Sequence, residues 1–220
     1  MADKPILFSA PMIRALLDGR KTQTRRVLKP QPGVLKNGIW YRPYPGTDPL
    51  QWCYMHGDRP AAYFKGSYAP GDRLWVKETW RPSISAADPW HVAVLYPHTG
   101  DVKHWNWSSD ADFGDWKIPK AAATGNVTPL FMPRWASRLT LIVTEVRVQR
   151  LQDISDADAW AEGCRGYVSP CGDYGETPRE EFHALWNSLH GPDAWDANPW
   201  VVALTLDVYR SNIDQMGDPA

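Results

Sequence analysis

The run Leu139 to Leu151 constrains the fold more than any other stretch, because it alternates in a period of two with no glycine or proline to interrupt it. Leu139, Leu141, Val143, Glu145 and Arg147 fall on one face, and Thr140, Ile142, Thr144, Val146 and Val148 on the other. Side chains of a strand alternate in this way, so the spacing predicts a long strand in the middle of a sheet.

Partners for that strand are legible on both sides of it. Ile6 to Phe8, Thr22 to Leu28, His91 to Tyr96 and Trp200 to Val208 read as strands. So does Arg73 to Trp80, which follows a Gly71-Asp72 turn and puts Leu74, Val76 and Glu78 on one face. Three helices are expected. One starts near Pro11 behind a Ser9 cap and stops at Gly19, where a left-handed residue is wanted. A second runs from a Ser155 cap to Gly163 with Glu162 on its last turn. A third begins at Thr177 with a capping-box pattern and buries Phe182, Leu185, Trp186 and Leu189. About six strands and three helices without strict alternation predict an α+β fold built on a small mixed barrel rather than a doubly wound sheet. The chain reads as one domain over 1–220, with two long insertions. The first, about residues 30 to 70, is a meandering excursion rich in proline and aromatics; the second, about 81 to 133, is loop-like apart from the strand at His91.

Composition narrows the function classes. A formal net charge of −1 and an isoelectric point near 6.6 lack the basic footprint of a protein that lives on a phosphate backbone. The positive charge that exists is concentrated at the N-terminal end, in Lys4, Arg14, Arg20, Lys21, Arg25, Arg26 and Lys29. Three cysteines without C-x-x-C spacing predict a reducing compartment and neither a disulfide framework nor a zinc site. The six histidines look scattered, and no apolar run has transmembrane length, so a cytoplasmic protein without membrane partner, metal or cofactor is expected. Phosphate-binding glycine loops, zinc-protease helices and serine elbows are absent from the sequence.

One short stretch is dense in chemistry: Gly19-Arg20-Lys21-Thr22-Gln23-Thr24-Arg25-Arg26. Lys21 is a point cation or, when desolvated, a base; Thr24 is a hydroxyl nucleophile or donor; Arg26 is a planar fork for a carbonyl or phosphate. The spacing Gly19, Lys21, Thr24, Arg26 is G-x-K-x-x-T-x-R, which resembles the signature of the ASCH family of PUA-like proteins. The resemblance extends to the Gly71-Asp72 turn with its strand and to Leu151 to Glu162, which is similar to the family pattern Leu-x-x-Ile-Ser-x-x-x-Ala-x-x-Glu.

What the resemblance implies is a PUA-like mixed pseudobarrel. It also implies the activity of the family's small amidohydrolases, which remove the acyl group from N4-acetylcytidine without a metal. Carried over residue by residue, the catalytic group is Lys21, Thr24 and Glu162. The substrate is then a small nucleoside or nucleobase, with RNA as the secondary partner and an RNA-binding or RNA-cleaving module as the alternative function. Two routes stay open: Lys21 takes the Thr24 proton and Thr24 attacks the acyl carbonyl, or Lys21 stays charged while Glu162 activates water. Arg26 joins as an oxyanion or carbonyl donor, and Trp75, Arg134 and Trp135 are candidates for stacking or holding the pyrimidine. Glu78, acidic at the centre of a buried strand, is the rival carboxylate. The two carboxylates are expected to behave differently: Glu162 as a removable acid with little effect on folding, Glu78 as a group whose loss mainly lowers stability.

Overall fold

The computed structural model describes residues 2–29, 31, 40–43, 51–56, 59–65, 67–84, 88, 90–106, 116–167 and 175–217, with 40–65 described as backbone only. In chain order the elements are β1 (Asp3–Leu7), α1 (Ala10–Leu17), β2 (Gln23–Val27), β3 (Trp40–Pro43), β4 (Gln51–His56), β5 (Arg59–Lys65) and β6 (Arg73–Lys77). They continue with β7 (Arg81–Ile84), β8 (His91–Tyr96), β9 (Asp101–Asn106), β10 (Thr140–Arg150), α2 (Asp156–Ala161), α3 (Pro178–His190) and β11 (Trp200–Tyr209). The architecture is α+β, and no closed barrel forms among the described strands.

The chain divides into two compact units, each assembled from three separated segments. The first holds Met1–Ala2, Gly19–Asp72 and Ile142–Val208. In it β11 lies between β10 and β2, pairing antiparallel with β2 from Val201 opposite Val27 to Thr205 opposite Gln23. Helices α2 and α3 close over a core of Leu151, Ile154, Ala159, Cys164, Phe182, Trp186, Trp195 and Val201, with Val27 packed against it. Both helix starts follow from their caps. The Ser155 hydroxyl accepts from the Asp158 amide, and Thr177 and Glu180 exchange side-chain and backbone bonds in a capping box. Before β6, the Gly71-Asp72 turn is held by the Asp72 carboxylate, which accepts from the amides of Ala2 and Ala69, each at 2.9 Å.

The second unit holds Asp3–Asp18, Arg73–Leu141 and Tyr209–Ala220. Here β1 and β6 pair in parallel, from Asp3 opposite Arg73 to Leu7 opposite Lys77. Helix α1 buries Ile13, Ala15 and Leu16 and ends at Asp18, where Gly19 turns the chain with φ of +70°. Ser9 sits at the cap position, but its hydroxyl accepts no bond from the helix; Pro11 in the first turn removes one of the amides it would have served.

Two expectations change. The segment from residue 81 is a three-stranded antiparallel meander, β7–β8–β9, not a loop around one strand. Only β8 carries an apolar alternation, burying Val92, Val94 and Tyr96; β7 tolerates Pro82 because it is an edge, and β9 is largely solvated. Aromatics complete this core: Trp80 is buried, and Trp105, Trp116 and Trp135 pack around it. The first insertion likewise contains a meander, β3–β4–β5. In β10 the burial changes phase: Leu141 and Val143 are buried, Thr144 and Glu145 exposed, and Val146 buried on the alternate parity.

Candidate active site

In the first unit the sequence motif and the end of α2 are joined. Helix α2 presents Asp158 and Glu162, four residues apart, on one face. The last carbonyls of a helix lack intrahelical partners and sit at the negative end of its dipole. The segment before β2 supplies those partners: Thr22 N donates to Ala161 O at 2.8 Å, Lys21 Nζ to Glu162 O at 3.0 Å, and Arg20 Nη1 to Gly163 O at 3.3 Å. A carboxylate at a helix C-terminus, unfavourable by itself, is therefore matched by cations on the incoming strand.

Lys21 Nζ also donates to Glu162 Oε2 at 2.5 Å, and both residues are buried, at 0% and 5% exposure. Arg25 serves the other oxygen, with Nη1 3.2 Å from Glu162 Oε1, and it donates to Gln23 Oε1 at 2.5 Å. Its Nη2 lies 3.1 Å from Asp158 Oδ2 without the alignment of a hydrogen bond, and its Nε has no hydrogen-bond partner among the described residues. Asp158 Oδ1 in turn accepts from Arg147 Nη2 at 2.8 Å and Gln23 Nε2 at 3.2 Å. Burial acts to raise the Asp158 carboxyl, but the bonds from Arg147 and Gln23 and the charges of Arg25 and Arg147 outweigh it, bringing it down to about 2.

The result is a chain of contacts, Arg147–Asp158–Arg25–Glu162–Lys21, half-exposed at Arg147 and buried from Arg25 to Lys21, in which three cations meet two carboxylates. Such a centre suits a carbonyl on which negative charge develops.

The remaining motif residues are placed by strand geometry. Because β2 pairs with β11 in unbroken register, Gln23, Arg25 and Val27 share the α2–α3 side, and Thr24 and Arg26 alternate to the other. Thr24 is 2% exposed. Burial lowers the Arg26 guanidinium from its ordinary range, and the charges of Tyr68 and Glu162 act against that shift.

Trp75, Glu78, Arg134 and Trp135 all belong to the second unit, where each has a partner. Glu78 is held bidentately by Arg138, through Nε at 2.7 Å and Nη2 at 2.9 Å. Arg138 also lies 4.1 Å from the centroid of the Tyr96 ring. Arg134 bonds Asp214 and Asp3, Trp135 meets Trp105 and Trp116 edge-on, and Lys77 stands over Trp75.

Sequence reasoning missed Arg25, Gln23, Asp158 and Arg147 as members of the centre. The signal existed for two pairs: Gln23 and Arg25 follow Lys21 at steps of two along the strand, and Asp158 precedes Glu162 by one helical turn. Arg147 could not be found, because β10 changes its buried face just before it. Among the described residues no three His, Cys, Asp or Glu side chains are grouped to hold a metal, and no helix is long and apolar enough to cross a membrane. No family model, curated protein or solved structure matches the chain.

Proposed function

We propose that the chain is a metal-independent amidohydrolase of the cytoplasm. It hydrolyses the exocyclic amide of N4-acylated cytosine nucleosides, on an ASCH-type fold of the PUA-like pseudobarrel class. The observation that carries this reading is the buried contact between Lys21 Nζ and Glu162 Oε2 at 2.5 Å, which joins the G-x-K-x-x-T-x-R motif to the carboxylate that the same resemblance names. The reaction class rests on that resemblance; the geometry supplies an ammonium and a carboxylate at one point.

The chemistry follows from the donors and acceptors. Glu162 takes a proton from water as the oxygen adds to the acyl carbonyl, and the Lys21 ammonium stabilises the oxyanion. The proton on Glu162 then passes to N4 as the C–N bond breaks, giving the carboxylic acid and cytidine. Attack by Thr24 would need Lys21 as a proton acceptor, whereas Lys21 donates to both the carbonyl and the carboxylate of Glu162. Thr24 also alternates away from the Gln23–Arg25 side of β2.

Incubating the protein with N4-acetylcytidine and following the absorbance change tests the activity. Turnover that persists in EDTA is expected, with Thr24→Ala retaining turnover and no acetyl adduct on Thr24 by intact mass. Absence of turnover in the unmodified chain would refute the reading.

A second reading, an RNA-binding or RNA-cleaving module, is favoured by one feature. Trp160 is 48% exposed, two residues before Glu162, with the Arg165 guanidinium 3.8 Å from its ring centroid. Such a pair can stack a base. Tight single-stranded RNA binding that survives added salt would promote it over the first.

A further inference from the structure

His91 and His104 looked unrelated in the sequence, but the β8–β9 ribbon brings them together. The register sets His91 opposite Asn106 and Ala93 opposite His104, so the two histidines lie on a diagonal of one face. Val92 and Val94 occupy the other face and are fully buried, which fixes the backbone under the pair. His91 Nε2 and His104 Nδ1 are 2.9 Å apart, and the rings are parallel to within 10° with centroids 5.0 Å apart. The contact is open to solvent.

Two imidazole nitrogens at this separation match a chelate. Nitrogens about 2.0–2.1 Å from one ion stand ~2.9 Å apart when they subtend a right angle and ~3.3 Å apart at the tetrahedral angle. Right-angled positions belong to square-planar and octahedral ions, and imidazole suits nickel and copper. We propose that His91 and His104 form a two-histidine site for a divalent ion of right-angled coordination, Ni(II) or Cu(II), with water in the remaining positions. In the ion-free pair one ring donates its N–H to the facing lone pair of the other. On binding, each ring carries its proton on the nitrogen turned away, His91 Nδ1 and His104 Nε2, so both lone pairs meet the ion and both rings stay neutral.

Titration of tag-free protein with nickel chloride in a calorimeter at about pH 7.5 tests the site. One ion per chain is expected, with affinity at least about tenfold weaker in His104→Ala and in His91→Ala. His104 is exposed, so its variant leaves the core untouched; His91→Gln should repeat the His91→Ala result if that variant melts early. No saturable binding, equal affinity in the variants, or tighter binding of zinc chloride than of nickel chloride would overturn the proposal.

Discussion

Lys21 closes the C-terminal end of α2 through Glu162, donating to that residue's main-chain carbonyl at 3.0 Å and to its carboxylate at 2.5 Å. With this contact in place, removal of Glu162 is expected to carry a structural cost as well as a catalytic one. With Lys21 and Arg25 both directed at it and nearly no solvent present, deleting the carboxylate strands two buried cations. Breaking a buried pair from one side costs about 3–5 kcal/mol, whereas replacing both partners by apolar groups of similar size costs far less. Glu162→Gln should therefore lower the melting temperature and reduce kcat by at least ~100-fold, the scale of a lost acid or base. Lys21→Met combined with Glu162→Leu should recover stability relative to the sum of the single variants while remaining inactive. Thermal melts on Lys21→Met, Glu162→Leu and the double variant, with N4-acetylcytidine turnover on these and on Glu162→Gln, check this, and additive stability losses would disprove the coupling.

Glu78 gives the contrasting case. Its two oxygens are taken by Arg138, and both side chains are at most 4% exposed, so the pair is a structural clamp in the second unit. Glu78→Gln should destabilise by about 3–5 kcal/mol, read as a shift in the urea midpoint. The kcat of the folded fraction should stay within about twofold of the parent if, as proposed, Glu162 is the group that moves the proton. A stable but inactive Glu78→Gln would transfer the acid–base role to Glu78, directly after β6.

The parts of the fold carried by strong periodicity or by caps were legible: α1 up to Gly19, the Leu74–Val76–Glu78 face, the Ser155 and Thr177 helix starts, and the strand at Trp200. Strands held mainly by hairpin pairing were not. β9 exposes Asp101, Val102, His104 and Asn106, and nothing in its own alternation marks it; it is a strand because β8 offers it an edge after the turn at Gly100. The candidate site divides in the same way. Lys21 and Glu162 were found through a motif, but the charge that steadies them comes from Arg147 and Asp158, whose meeting depends on tertiary contacts. The His91–His104 pair is another product of register, invisible while the β8–β9 hairpin is unknown.

Cys164 follows Glu162 by two residues and is buried in the core under α3. Burial first, then the carboxylates of Glu181 and Glu162, push its thiol up to about 12 against the opposing charge of Lys21. A thiol in that setting supplies almost no thiolate at neutral pH and is a poor nucleophile. Iodoacetamide at about pH 8 should leave Cys164 unmodified in the folded protein and modify it in urea, as read by peptide mapping. Rapid alkylation of the native protein at Cys164 would mean that the core around it opens readily.

The last expectation concerns acid. Asp158 links Arg147, Gln23 and Arg25 to α2, and its carboxyl lies at about 2 in the folded chain against an ordinary value of 3.8. A carboxyl depressed by folding contributes stability that is fully present above its unfolded value and is lost as the pH falls through the folded one. For Asp158 the window runs from about pH 4 down to about pH 2. Asp158→Asn removes the titrating group and leaves Arg147 and Arg25 with a weaker acceptor. The variant should thus be less stable than the parent by a constant amount between about pH 5 and 8, and the two should converge as the pH drops through the window. Urea unfolding curves at several pH values provide the comparison. If the gap persisted unchanged to about pH 2, or widened with acid, Asp158 would not be the ionised anchor between β2, β10 and α2 that its contacts describe.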